Sequence, residues 1–317
     1  MTAAKTTETT AKFDPYQAVT DQIITLLENG TAPWRKPWAA TGGLPLSLST
    51  GKAYRGINPF LLQISSAAQG FTSRYWGTYK AISDKGGQVR KGEHGTLVVF
   101  WKTYLDKKET DERTGKPKQR FVLRTFKVFN ADQADAAEGK TFDVPQAAEL
   151  PGTDLSPLEA CESAIAPYLA TLASVSRTGS AAYYQPSSDS LTVPPLESFT
   201  TAEEFYSTLF HESVHATGHA SRLNRPSFTG HVSFGDTAYS KEELVAEMGA
   251  AMISGVTGIE LATLENSAAY LASWIKVLRG DSKLIISAAA QAQKAADLVL
   301  GVSFAADAGA DDSAEAA

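Results

Sequence analysis

The chain has 317 residues, enough for two domains of ordinary size, and 43% of them are hydrophobic. Its single cysteine, Cys161, excludes an internal disulfide and suits a reducing compartment. The net charge of −6 hides an asymmetry: residues 1–150 carry 21 Lys and Arg against 15 Asp and Glu, whereas residues 151–317 carry 8 against 20. The polar start MTAAKTTETTAK has no apolar core of a secretory signal, and no run is apolar and long enough to span a bilayer. These features point to the cytoplasm and away from a membrane.

In chain order, Asp14-Pro15 opens a helix with an apolar stripe of Ile23, Ile24, Leu26 and Leu27, and Gly30 ends it. A loop, TAPWRKPW, follows over residues 31–38. A second helix is expected from Asn58-Pro59 to Gly70, and a third from Thr78 to Gly86-Gly87. Residues 96–105 and 120–130 are rich in β-branched and aromatic residues and read as strands. The charged stretch DKKETDERTGKPKQ joins them and reads as a long mobile hairpin loop. Pro and Gly between residues 139 and 157 mark a linker. Beyond it, residues 157–173 read as a helix with Pro167 as a kink. Residues 181–185 and 190–194 read as a hairpin. Thr200 and Glu203 form a capping box for a helix to Gly218, and Ser240 and Glu243 mark another helix start. Two further helices are expected near 265–279 and 282–300.

The expected fold class is α+β in both halves. The organisation reads as a basic N-terminal domain over 1–145, a linker over 146–156, an acidic C-terminal domain over 157–303 and a disordered acidic tail over 304–317.

Within the last helix-forming stretch before Gly218, His211-Glu212-Ser213-Val214-His215 is an H-E-x-x-H motif. Helical positions four apart share one face, so both imidazoles can reach one metal ion, while Glu212 flanks it as a general base. A third histidine at the spacing of the metzincins would fall on Ser221, and His219 comes two residues early. The third ligand is therefore sought in residues 241–252, where Glu243 and Glu247 share a helix face. One would bind the metal and the other would hold a ligand imidazole from outside. Two histidines and one carboxylate leave an open position, the catalytic type of zinc site. One Zn2+ per chain is expected, or another divalent ion. Tyr239 and His231 are candidates to stabilise an oxyanion, as are Tyr183 and Tyr184 in the hairpin, whose edge could hold an extended peptide.

Residues 31–130 carry 18 Lys and Arg against 6 Asp and Glu, together with four of the five tryptophans. Rings and cations are paired in Trp34-Arg35-Lys36 with Trp38, Tyr54-Arg55, Arg74 with Trp76, Tyr79-Lys80, Arg90-Lys91 and Trp101-Lys102. Rings that stack on bases and cations that follow phosphates are what a single-strand binder needs.

Several long segments carry a resemblance. TDQIITLLENGTAPWRKPW, TGKAYRGINPFLL, YWGTYK, GGQVRKGEHG and KVFNADQ in the first half, and YYQPSSDSLTVP, FHESVHATGHASRL, YSKEELVAEMGAAM and ENSAAYLASWIKVLRGD in the second, are similar to the ArdC antirestriction family of conjugative plasmids. The first half also looks like the N-terminal region of some plasmid primases. The resemblance implies single-stranded DNA binding, a zincin-like metallopeptidase domain, and protection of incoming plasmid DNA from host restriction. EELVAEMGAA further resembles the third-ligand segment of the IrrE-type metallopeptidases, which implies Glu243 as the ligand. The implied partners are single-stranded DNA and an unidentified host protein as peptide substrate. The competing expectation is a DNA-coating protein whose metal site is structural or vestigial.

Overall fold

A computed structural model describes residues 13–34, 41, 43–110, 115–145, 156–226, 237–259 and 268–302. Three of the expected caps set the first half. Asp14 Oδ1 accepts from the Tyr16 amide and starts α1, Pro15–Glu28. Gly70, at a left-handed φ of 72°, ends α2, Asn58–Gln69. Thr78 caps the short α3, Tyr79–Asp84. Strands β1 (Leu46–Ser47), β2 (Tyr75–Gly77), β4 (Thr96–Thr110) and β5 (Pro117–Asn130) form one sheet in the order β1-β2-β5-β4. Strands β3 (Gly87–Val89) and β6 (Ala134–Ala136) pair separately.

The second half opens on α4, Pro157–Leu169, with Ser156 and Glu159 in a reciprocal capping box. A three-stranded sheet follows in the order β7-β9-β8, from β7 (Ser174–Arg177), β8 (Tyr183–Gln185) and β9 (Ser190–Val193). Strands β8 and β9 form the expected hairpin, and β7 joins β9 in parallel. Helices α5 (Ala202–Thr217), α6 (Thr237–Thr257), α7 (Ala268–Gly280) and α8 (Leu284–Val299) complete the chain. The architecture is α+β, as expected. No helix among the described residues is long and apolar enough to cross a membrane.

Three expectations need correction. The stretch between residues 105 and 120 is largely strand: β4 and β5 stay in register from Thr96↔Val128 to Asp106↔Lys118, and pair again at Thr110↔Pro117. Arg120 bridges Asp106 and Glu109 there, so the charges lace a ribbon together where a loop was expected. The cap of α5 is Thr201, whose hydroxyl accepts from the Glu204 amide, one residue after the expected pair. Helix α6 is already formed at Ser240, whose hydroxyl meets that of Ser273, so Glu243 lies inside the helix and not in a capping box.

The largest apolar core does not respect the break read from Pro and Gly at 139–157. Val19, Ile23 and Leu27 of α1, with Trp34, are buried in one cluster with Trp274, Leu278 and Ile285 of the C-terminal helices. The Trp34 and Trp274 rings meet edge to face at 5.3 Å. Thr20 Oγ1 donates to the Ser282 carbonyl at 2.7 Å. Residues 146–155 of the expected linker, and the expected tail, lie outside the described residues.

Candidate metal centre

Helix α5 buries Phe205, Tyr206, Leu209, Phe210 and Val214, an i, i+4 pattern that turns one face inward. His211 and His215 recur on the adjacent stripe, one turn apart. Helix α6 crosses close by because Gly249 has no side chain: a Cβ there would stand 2.8 Å from Val214 Cγ2. Glu243, two turns before Gly249 on α6, is thereby brought over the histidines.

The three side chains converge. His211 Nε2 and His215 Nε2 are 3.1 Å apart. Glu243 Oε2 lies 3.5 Å from His211 Nε2, and Oε1 lies 3.4 Å from His215 Nε2. Their ligand atoms all fall within 4.8 Å of one another. Ligands about 2.1 Å from a tetrahedral ion stand roughly 3.4 Å from each other, so the spacing matches three corners of such a shell. The donor set, two imidazoles and a carboxylate, is also the chemistry of a site that keeps one position open. Glu212, the next residue to His211 and about 100° round the helix, flanks the cluster.

The carboxylate behind the site is Glu242, which the sequence reading did not single out. Its Oε1 stands 3.4 Å from His215 Nδ1. Buried Arg225 grips that same carboxylate through Nε and Nη2, and also donates to Thr217 Oγ1 at 2.6 Å and to the Val214 carbonyl at 2.8 Å. The acidic pair Glu242-Glu243 in the sequence was the available signal. Adjacent helical residues point about 100° apart, so one can face the ligand atoms while its neighbour reaches round to the back of an imidazole. Glu247, expected in that role, is half-buried one turn beyond Glu243 and is not among the clustered groups.

Burial opposes a charge on His215, but hydrogen bonds with Glu242 and Glu243 outweigh it and raise its pKa to about 10. Burial likewise opposes ionisation of Glu242, yet His215 and Arg225 hold its pKa down at about 2. Glu243 is held well below the ordinary carboxylate range against the same desolvation, by His211 and His215. The carboxylates are anionic, and the cluster favours positive charge between them, whether from protons or from an ion.

The other sequence candidates divide. His219 Nδ1 pairs with Ser221 Oγ at 2.8 Å and stands outside the cluster. Tyr184 gives its hydroxyl to Asp189 at 2.6 Å and receives Arg222 Nη2 at 2.9 Å, which ties the hairpin to the turn after α5. Tyr183 is exposed on edge strand β8, and Tyr239 is half-buried in α6. His231 lies outside the described residues, as do Arg35, Lys36 and Trp38. Trp34 and Trp76 are fully buried, and Tyr54 and Arg74 nearly so. These four are corrected from DNA contacts to core residues: the rings fill apolar clusters, and Arg74 Nε donates to the Leu44 carbonyl. Arg55 is paired with Asp297, and Arg90 with Glu93 and Asp135. Tyr79, Lys80, Lys91, Trp101 and Lys102 are exposed.

Comparison with known proteins follows the same division of the chain. Residues 13–129 match the model of the N-terminal domain of anti-restriction factor ArdC, and residues 162–291 match that of a zincin-like metallopeptidase. The chain is 36% identical to the uncharacterized protein y4eC of Sinorhizobium fredii, over 94% of each. It is 38% identical to an Escherichia coli DNA primase, TraC, over 90% of this chain but only 27% of the primase. Among solved structures, the metal-free antirestriction ArdC protein of the R388 plasmid superposes with a TM-score of 0.70 at 41% identity, covering 90% of this chain and 97% of that one. Its Mn(II)-bound form gives 0.69 at 39% identity, covering 92% and 98%. Identity at this level over nearly the whole of both chains, with both domain models in the same order, means that this chain belongs to the antirestriction ArdC family.

Proposed function

We propose that this chain is an antirestriction protein that binds single-stranded DNA and carries a zinc metallopeptidase site, and that it protects incoming conjugative plasmid DNA from host restriction. The convergence of His211, His215 and Glu243 beside Glu212 is the observation that carries the enzymatic part. The Mn(II)-bound structure of a relative supports a divalent ion as the cofactor. That ion would supply Lewis acidity, polarising a carbonyl and acidifying water. His211 and His215 present Nε2 and Glu243 a carboxylate oxygen to hold it. Glu242 orients His215 by accepting the proton on Nδ1. The Glu212 carboxylate takes the proton of the attacking water and returns it to the leaving nitrogen. The free edge of β8 offers backbone groups to an extended peptide. DNA binding rests on the ArdC N-terminal domain match and the basic balance of residues 31–130.

Glu212→Gln tests the reading. The variant is expected to keep its metal and its DNA affinity while peptidase rate falls about 10²–10⁴-fold, as for loss of a general base. Conjugal transfer into a restricting host then reads the biology. Undiminished protection by Glu212→Gln makes the protein a DNA-coating factor with a structural ion. Loss of metal in Glu212→Gln rejects the role given to this carboxylate.

A further inference from the structure

The ribbon of β4 and β5 is longer than the domain that supports it. Strands usually run three to ten residues, and β4 has 15 and β5 has 14. Its base is clamped on both faces. Val98 is buried with Tyr54, Leu62 and Trp76, while Val99 on the opposite face is buried in the main core. Asn58 seals the edge of β4 at that point: its Nδ2 donates to the Val99 carbonyl and its Oδ1 accepts the Val99 amide, each at 2.8 Å. Beyond Phe100, whose ring still packs near Tyr54 and Phe126, strand β4 leaves the core. At about 3.4 Å per residue, Val99 to Thr110 reaches roughly 35 Å.

The projecting part has two unlike faces. Alternation puts Trp101 and Leu105 on one face with Phe121, and these are 50%, 59% and 60% exposed. Trp101 and Phe121 sit on facing strands at diagonal positions, within reach of one another for large rings. Tyr16 of α1 stands 6.3 Å from Trp101 and extends the aromatic surface back to the body of the protein. The other face carries Lys102, Tyr104, Arg120 and Arg124. Lys102 and Arg124 enter no ion pair among the described residues. Residues 96–130 hold nine Lys and Arg against four Asp and Glu. Exposed large apolar groups mark interaction sites, and the surplus of unpaired cations names the chemistry of the partner as a polyanion with stackable rings.

We infer that the β4–β5 ribbon is the arm that engages single-stranded DNA, the strand wrapping the ribbon edge so that bases stack on Trp101 and Phe121 while the phosphates reach the long side chains of Lys102 and Arg124 from the opposite face. The inference rests on the single-stranded DNA reading above and relocates the contact from the buried Trp34 and Trp76 to the ribbon. Rings of this kind accept any base, and the cations read only the backbone, so affinity is nearly independent of sequence.

The test is an anisotropy titration of the full chain with labelled oligo(dT) across a range of salt concentrations. Trp101→Ala and Phe121→Ala should each weaken binding about tenfold while leaving the thermal transition unmoved, since both rings are exposed. Lys102→Gln and Arg124→Gln should each reduce the salt slope by about 0.7. Trp101→Phe should retain affinity but lose the quenching of tryptophan emission that oligo(dT) causes in the wild type. If the wild type binds and the two alanine and two glutamine variants bind as it does, the ribbon serves another partner, such as a protein strand added at the β4 edge, and the inference fails while the DNA reading stands. If the wild type does not bind oligo(dT), both fail together.

Discussion

Arg225 shows how much of the metal centre depends on a residue that touches no ligand atom. Arg225 is only 3% exposed, as is fitting for a group that joins Glu242 of α6 to Thr217 and the Val214 carbonyl at the C-terminal end of α5. It neutralises Glu242, and Glu242 in turn faces His215 Nδ1. Removing one partner of a buried ion pair leaves the other charge without compensation, which costs about 3–5 kcal/mol. Arg225→Met is therefore expected to lower the melting temperature sharply, by scanning calorimetry, even with the metal-binding trio untouched. Glu242→Gln keeps the shape and a hydrogen-bond acceptor but loses the charge. It should weaken metal affinity by about 10–100-fold, the usual cost of disturbing a residue that orients a metal-binding imidazole. Competition with a chromogenic chelator measures this. Unchanged affinity in Glu242→Gln would mean that His215 is oriented by its helix alone.

At the scale of elements, the α5–α6 crossing decides whether Glu243 can meet the histidines, and Gly249 sets that crossing. An added methyl would meet Val214 Cγ2 at 2.8 Å, and a β-branched side chain on a helix has no other rotamer to yield to. Gly249→Ala gains about 1 kcal/mol of helix propensity, but the helices must part, and overpacking costs about 1–3 kcal/mol. The expected outcome is a protein of equal or lower stability that binds metal more weakly, seen by isothermal titration of the ion. A more stable Gly249→Ala with full metal affinity would show that the helices can slide without opening the site. None of this crossing is legible in the sequence, although its consequences are. The helix carrying His211 and His215 follows from spacing, and Glu243 comes forward once α6 is a helix. The starts of α1 and α4 are legible because their caps are local chemistry. Strand β7, Ser-Val-Ser-Arg, is not, because its pairing with β9 is made across the fold and its own residues alternate no apolar pattern. The ribbon past Leu105 was misread because Asp, Lys, Glu and Arg in a row suit a solvated loop until the cross-strand pairs of Arg120 are known. Trp34 and Trp76 were misread for a related reason: composition counts rings and cations but cannot tell which ring the core has claimed.

For the whole molecule, the covalent order and the packing order differ. Helix α1 belongs by sequence to the N-terminal half, yet Val19, Ile23, Ile24 and Leu27 are buried in the cluster built largely by the helices of the C-terminal half. Glu28 with Arg279, Arg55 with Asp297, and the Gly56 amide with Gln293 Oε1 add polar contacts along the same seam. The exposed ion pairs contribute little, so apolar burial around Trp34 and Trp274 holds the halves together. A chain with a shared core should unfold as one cooperative unit. The full-length protein is accordingly expected to show a single calorimetric transition with equal van't Hoff and calorimetric enthalpies. Because an ion that binds only the folded state stabilises whatever unfolds with its site, chelation should shift that transition as a whole, including the amide-exchange protection of the β4–β5 sheet. Trp34→Ala should cost about 3–5 kcal/mol of stability, the cost of emptying a fully buried aromatic site, and so lower the transition temperature. Segment 1–150 on its own would expose the apolar stripe of α1 and the Trp34 ring, and should be less stable than the same residues in the full chain and prone to self-association by light scattering. Two well-separated transitions, with only the later-numbered half responding to the chelator, would mean that the halves fold independently and that the seam is a docking contact. In the single-transition case, the cluster of His211, His215 and Glu243 and the β4–β5 ribbon belong to one cooperative unit, and whatever stabilises the first stabilises the second.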